Sequence, residues 1–245
     1  MDNRYTYHTI NNSHDADLNG IVRPSAVLKY MQEAANLQLS VSKPSSDDLR
    51  AAGRYFVASK ISFTIHQPLY SWDEIDVSTW GCESRGATFN RCSKIERKGE
   101  LCASLSSAWA LLDAENGAIL RVSDVTFDFG TERALTPEIP LKVRIPKELP
   151  LHLFGERTVM YPDVDMNRHM NNTVYIDMLY GFAGVDEDKQ LRSASINYLH
   201  EAPLGTTFKV YGNSFADMSY FRTMLPDGTV GVEAEFKYEP LCERE

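Results

Sequence analysis

Asp163-Val164-Asp165-Met166-Asn167-Arg168 is a second copy of Asp15-Ala16-Asp17-Leu18-Asn19-Gly20, and the chain after each copy repeats with it. Self-similarity of this kind decides architecture before any single element does. Each copy leads into a stretch of helical period, with Val27, Leu28, Met31, Ala34 and Ala35 on one face in the first and Val174, Tyr175, Met178, Leu179 and Phe182 in the second. An alternating segment follows each helix, Ser59–Ile65 and then Ser193–Leu199. Pro68 and Pro203 come next at matching places and set Glu201 opposite His66. Further strand-like runs occupy 74–82, 87–97 and 101–113 in the first half, and 206–214, 217–225 and 229–238 in the second. Each half therefore reads as one helix followed by an antiparallel meander.

The stretch 131–152 carries Pro137, Pro140, Pro146 and Pro150 and reads as a linker between an N-terminal unit, 1–130, and a C-terminal unit, 153–245. A helix facing an antiparallel sheet buries its apolar stripe economically when the sheet wraps around it. Two such units can join sheets edge to edge, which covers exposed strand edges. The expected fold is α+β, a hot-dog unit doubled in tandem.

Composition sets the outer bounds. With 245 residues, 43% of them hydrophobic and 24% charged, the chain can bury a sizeable core. A net charge of −9 argues against a nucleic-acid partner, since phosphate neutralisation needs clustered Lys and Arg. Cys82, Cys92, Cys102 and Cys242 form no C-x-x-C pair and read as reduced, buried thiols. The N-terminus has no basic stretch followed by an apolar one, and no apolar run approaches the about 20 residues of a membrane helix. These features set the expectation of a soluble, cytoplasmic protein without a membrane span.

Several chemistries fall away on spacing. The Asp-x-Asp-x-Asn runs open like a calcium loop, but the position that needs a bidentate carboxylate is Ala26 in one copy and Val174 in the other. No H-E-x-x-H or paired Cys/His spacing suggests zinc, and His200-Glu201 lacks a second histidine. G-x-S-x-G, G-x-G-x-x-G and G-x-x-x-x-G-K are all missing. No metal or other cofactor is expected.

A polar cluster remains: Asp165, Asn167, His169, Asn171 and Asn172 ahead of the second helix, and Glu201 after a strand. Asn171 and Asn172 are candidates for substrate contact, and equally for helix capping. Asp165 and Asn167 recur as Asp17 and Asn19, so loop closure competes with catalysis there. His169 stands against Ile21, and no glutamate answers Glu201 in the first half. A residue needed only for the fold should recur in both halves, and these two do not. For acyl transfer the set is chemically sufficient: a carboxylate or imidazole takes a proton from water while an amide polarises the thioester carbonyl.

These residues resemble the acyl-acyl-carrier-protein (acyl-ACP) thioesterases of plants and bacteria. The resemblance rests on Asp165-Met-Asn167-Arg-His169-Met-Asn171-Asn172-x-x-Tyr175, on Ile196-Asn-Tyr198-Leu-His-Glu201, and on Asp17-Leu-Asn19-Gly20 with Tyr30-Met-Gln-Glu-Ala-Ala35. Trp109-Ala-Leu-Leu-Asp113 fits the closing strand of the family's first unit. It implies a double hot-dog that hydrolyses fatty acyl thioesters on a carrier protein, with Asp165, Asn167, His169 and Glu201 as its catalytic set. Many plant members have a cysteine after that glutamate, once proposed as a nucleophile; here the position is Ala202, which turns the expectation to direct attack by water.

The resemblance also places the acyl chain in the first unit, with Val27, Leu28 and Met31 helping to set its length. A phosphopantetheine-bearing acyl carrier protein implies a basic entrance, for which Arg91, Lys94, Arg97 and Lys98, or Arg168 with Arg192, are candidates. A homodimer is compatible with this reading but not required by it. Hydrolysis of acyl-CoA and a non-catalytic acyl-thioester binding module are the alternatives, and a hydratase shares the fold class.

Overall fold

A computed structural model describes residues 3–241 of the chain. The chain divides into two units, Met1–Leu141 and Lys142–Glu245. In the first unit β1 (Tyr5–Ile10) precedes α1 (Pro24–Val41) and the short α2 (Ser46–Ala51). Four longer strands follow, β2 (Arg54–Ile65), β3 (Glu74–Gly81), β4 (Phe89–Arg97) and β5 (Glu100–Asp113), and then the two-residue β6 (Ile119–Leu120). They form an antiparallel sheet in the order β1-β3-β4-β5-β2, with β6 on β5.

The second unit repeats this plan. β7 (His152–Thr158) precedes α3 (Asn172–Ala183), and β8 (Lys189–Tyr198), β9 (Thr207–Ser214), β10 (Met218–Met224) and β11 (Val230–Pro240) follow. Their order, β7-β9-β10-β11-β8, is that of the first unit with each strand replaced by its counterpart. The leading strands β1 and β7 differ from the expectation of a helix followed by a meander. Both are edge strands whose side chains stay half-exposed, so the apolar alternation that betrays an internal strand is weak in them.

Local chemistry explains the helices. α1 opens on Pro24 at its first turn, where a missing N–H costs nothing, and buries Ala26, Val27, Leu28, Met31 and Ala34. It packs against β3 and β4. α3 begins where Asn171 accepts from the Thr173 backbone N–H and ends at Gly184, whose φ of 61° is the left-handed conformation that closes a helix. Its covered residues are Thr173, Tyr175, Ile176 and Leu179, with Val174 and Met178 only partly covered. In the sheets Phe63, Trp80, Ile95 and Leu111 form the first core and Phe208, Phe221 and Phe236 the second, each contributing about 1.5–3 kcal/mol by burial.

The proline-containing stretch is fastened at both ends. Glu132 N–H donates to Gly81 O at 2.8 Å, and the Trp80 indole donates to Arg133 O at 2.9 Å. Pro150 O accepts from the Asn213 side chain at 2.9 Å. Cys82, Cys92 and Cys102 are buried free thiols in the first unit, whereas Cys242 lies outside the described residues.

Candidate active site

The second copy of the repeat folds into a tight loop held by its own backbone. Asn171 N–H donates to Asp163 O at 2.9 Å, Asp165 N–H to His169 O at 3.2 Å, and Arg168 N–H to Asp165 O at 2.9 Å. Asp165 Oδ1 accepts from the Asn167 N–H at 2.8 Å. At the loop's base one Arg157 nitrogen donates to both carboxylate oxygens of buried Asp163, each at 2.7 Å. The loop then runs beside the chain after β8: Met170 N–H donates to Ala202 O at 3.0 Å, Leu204 N–H to Arg168 O at 3.2 Å, and His169 bridges to Pro203.

That pairing brings His169 and Glu201 together, with Nδ1 of the imidazole 2.9 Å from Oε2 of the carboxylate. Nδ1 is closed off from solvent and makes no hydrogen bond of good geometry, so this is a close polar approach of the two groups. The side chains keep 30% and 48% of their surface open, enough for a substrate to reach the pair. Behind Glu201, Tyr175 stacks on Phe208 and meets Tyr198 edge-on, and the Tyr198 hydroxyl donates to Asn172 O at 3.0 Å. Burial, and then the charge of Glu201, push the Tyr175 hydroxyl well above its ordinary pKa; burial does the same to Tyr198. Both phenols stay protonated and neutral, Tyr175 beside the carboxylate.

The first copy makes the same backbone bonds. Arg23 N–H donates to Asp15 O, Asp17 N–H to Ile21 O, Gly20 N–H to Asp17 O and Asn19 N–H to Asp17 Oδ1. Val22 N–H donates to Leu69 O, and Ile21 bridges to Tyr70. Ala202 therefore answers Leu69, and Pro203 answers Tyr70. The residue opposite Glu201 is Pro68, not His66, which corrects the register drawn from the two prolines. Backbone pairing sets register, and a proline marks only where pairing stops. His66 instead places Nε2 2.7 Å from Ser104 Oγ. Neither Ile21 nor Pro68 can titrate, so the contrast between the copies holds in the corrected register.

The remaining candidates are placed differently from one another. Asp165 and Asn167 share the loop with His169, but their bond is one that Asp17 and Asn19 also make. Asn171 Oδ1 caps α3, accepting from Thr173 N–H at 2.9 Å and from its hydroxyl at 2.8 Å. Val27, Leu28 and Met31 are fully covered core residues. A cavity of about 310 Å³ in the first unit is lined instead by Ala35 and Leu39 of α1 and by Phe56, Phe89, Trp109 and Phe127. The aromatic alternation Val125-x-Phe127-x-Phe129 was the available signal for its far wall, in a stretch too short and broken to read as an element.

The first basic cluster is not a free patch, apart from exposed Lys98. Lys94 pairs with Glu96 at 2.7 Å, Arg97 with Asp73 at 2.6 Å, and Arg91 points into the cavity wall. Arg192 lies 3.5 Å from Glu239, which leaves Arg168 as an exposed cation on the site loop. Among the described residues no three His, Cys, Asp or Glu side chains gather as a metal site, and no helix is long and apolar enough to cross a membrane.

Comparison with known proteins identifies the family. Residues 3–129 match the family model described as the acyl-ACP thioesterase N-terminal domain, and residues 152–233 match that of the acyl-ACP thioesterase C-terminal domain. No curated protein sequence matches the chain. Among solved structures, an acyl-ACP thioesterase from Bacteroides thetaiotaomicron superposes with a TM-score of 0.80 at 15% identity, covering 97% of this chain and 98% of that one. The 12:0-ACP thioesterase from Umbellularia californica superposes with a TM-score of 0.80 at 14% identity, covering 98% and 99%. At such identities the likeness shows a shared hot-dog-like fold with a large antiparallel sheet and few helices. The family models span most of the sequence, and the chain belongs to the acyl-ACP thioesterase family of thioester hydrolases.

Proposed function

We propose that the second unit hydrolyses fatty acyl thioesters, carried on the phosphopantetheine of acyl carrier protein, by direct attack of water with Glu201 as the base. The observation that carries this reading is the 2.9 Å approach of His169 Nδ1 to Glu201 Oε2, built where the first copy has Ile21 and Pro68. His169 orients the carboxylate, whose other oxygen takes the proton of the attacking water. The Asn167 amide, presented by the turn that Asp165 ties, donates to the carbonyl oxygen as it becomes an oxyanion. Ala202 carries no nucleophile, and the described cysteines all lie in the first unit, so among the described residues no thiol competes with water.

Asn171 keeps Nδ2, and Asn172 its whole side-chain amide, for the amides of the pantetheine arm. Arg168 is the cation that meets the phosphate. The acyl chain occupies the aromatic cavity of the first unit, where Ala35, Leu39 and the phenylalanine rings, rather than Val27, Leu28 and Met31, select its length.

We read the units as a tandem double hot-dog with the chain 131–152 between them, a reading supported by their matching strand orders. The free buried thiols suit a reducing compartment, the cytoplasm. Free-thiol release across a chain-length series of acyl-ACP substrates, beside the matched acyl-CoA series, tests the function. Turnover with a preference for the carrier-bound series is expected, and no release from either series would overturn the hydrolase reading.

A further inference from the structure

The aromatic cavity of the first unit holds a group that an apolar chain does not call for. Arg91, on β4, lines it and is only partly exposed. Its Nη1 donates to Gln38 Oε1 at 2.5 Å and to Thr79 Oγ1 at 3.0 Å, and the guanidinium lies 5.3 Å from the centre of the Phe129 ring. Among the described residues, Nε and Nη2 meet no acceptor and no carboxylate pairs with the side chain. Burial lowers its pKa to about 10, against an opposing effect of the sulfurs of Cys82 and Cys92.

Three other half-covered arginines are held by carboxylates, whereas Arg54, like Arg91, has a nitrogen that meets no acceptor, its buried Nε. Arg97 holds Asp73 at 2.6 Å, Arg157 holds Asp163 at 2.7 Å, and Arg222 holds Glu233 at 2.6 Å. A cation partly withdrawn from water without a carboxylate carries a desolvation cost that the bonds to Gln38 and Thr79 and the Phe129 ring offset only in part. Tying α1 to β3 through Gln38 and Thr79 accounts for Nη1 and leaves the Nε–Nη2 edge unused. That edge is the side-on fork whose spacing matches the two oxygens of a carboxylate.

We propose that this cavity binds an apolar chain ending in a carboxylate, with Arg91 Nε and Nη2 on the two carboxylate oxygens and the rings of Phe56, Phe89, Trp109 and Phe127 around the chain. This rests on the acyl-cavity reading above and adds the polar end of the ligand. Two sources share the chemistry: a released fatty acid that rebinds with its carboxylate inward, and an acyl group bearing a second carboxylate at its far end.

Calorimetric titration of the full chain with octanoate and with octanol separates charge from tail. Octanoate is expected to bind at least about tenfold more tightly, and Arg91→Met, and Arg91→Lys which keeps the charge but loses the fork, are expected to bring the two ligands within about threefold. Equal binding of octanol and octanoate by the unaltered chain would overturn the proposal, and that comparison needs no variant to fold. Since binding needs no turnover, an inactive enzyme that still prefers octanoate would overturn only the hydrolase reading, and an active one without the preference only this proposal. Turnover of an octanoyl thioester against its terminally carboxylated counterpart then identifies the source. A rate preference for the latter that Arg91→Met removes assigns the substrate; competitive inhibition by octanoate without such a preference assigns the product.

Discussion

The loops 15–23 and 163–171 make the same backbone bonds and carry different chemistry. In both, an aspartate accepts from the N–H two residues on, and the loop runs beside the chain beyond the following strand. Only the second puts a histidine and a glutamate at the point where the two segments meet. The Asp-x-Asn turn is a shared scaffold, and the proposed chemistry uses only the second copy of it, through Asn167, His169 and Glu201.

Glu201→Gln keeps the shape of the side chain and removes the base, so kcat for acyl-ACP hydrolysis should fall by about 10²–10⁴ with thermal stability unchanged. Recovery of turnover to within about tenfold of wild type, roughly 1.4 kcal/mol of barrier, would end the base assignment. His169→Ile installs the first copy's residue; the expected loss in kcat is about 10²-fold, while Ile21→His leaves activity as it was because Pro68 offers the new imidazole no partner. Asp17→Ala and Asp165→Ala should each weaken unfolding stability by about 0.5–1.5 kcal/mol, the worth of the shared turn bond. Kinetics should divide them, with a loss of about tenfold to a hundredfold for Asp165→Ala alone, through misplacement of Asn167.

Arg168 holds a φ of 66° where the first copy has Gly20 at 75°. Arg168→Gly should therefore raise stability by about 1 kcal/mol in a denaturant titration while KM for the carrier-bound substrate rises. The smallest effect concerns α2, which the second unit lacks. Hydrogen bonds from the Ser45 backbone and hydroxyl, then from Lys43, hold the Asp48 carboxyl down at about 2. A carboxyl depressed in the folded state stabilises above its unfolded pKa and loses that contribution as pH falls towards 2. Asp48→Asn should flatten a shallow acid limb between about pH 4 and 2, visible in melting temperature against pH.

Much of this was legible in the residues. The repeat, the two long helices and eight of the strands follow from apolar period and from residues placed alike in both halves, because internal elements must bury one face. The edge strands β1 and β7 escaped because half-exposed side chains carry little period. His169 and Glu201 could be singled out by their lack of counterparts, but their register could not, since backbone pairing rather than proline position fixes which residues face each other. The cavity wall at Phe127 and Phe129 and the lone charge of Arg91 depend on long-range packing, for which a local pattern has no signal.

The central claim is that His169 and Glu201 act as one catalytic unit in the second copy alone. Steady-state thiol release from acyl-ACP by wild type, His169→Ile, Glu201→Gln and the double variant tests it most directly. The account predicts that the double variant is no more than about threefold slower than the slower single variant, because either change already breaks the pair. Rate losses that multiply, or a Glu201→Gln enzyme within about tenfold of wild type, would contradict it.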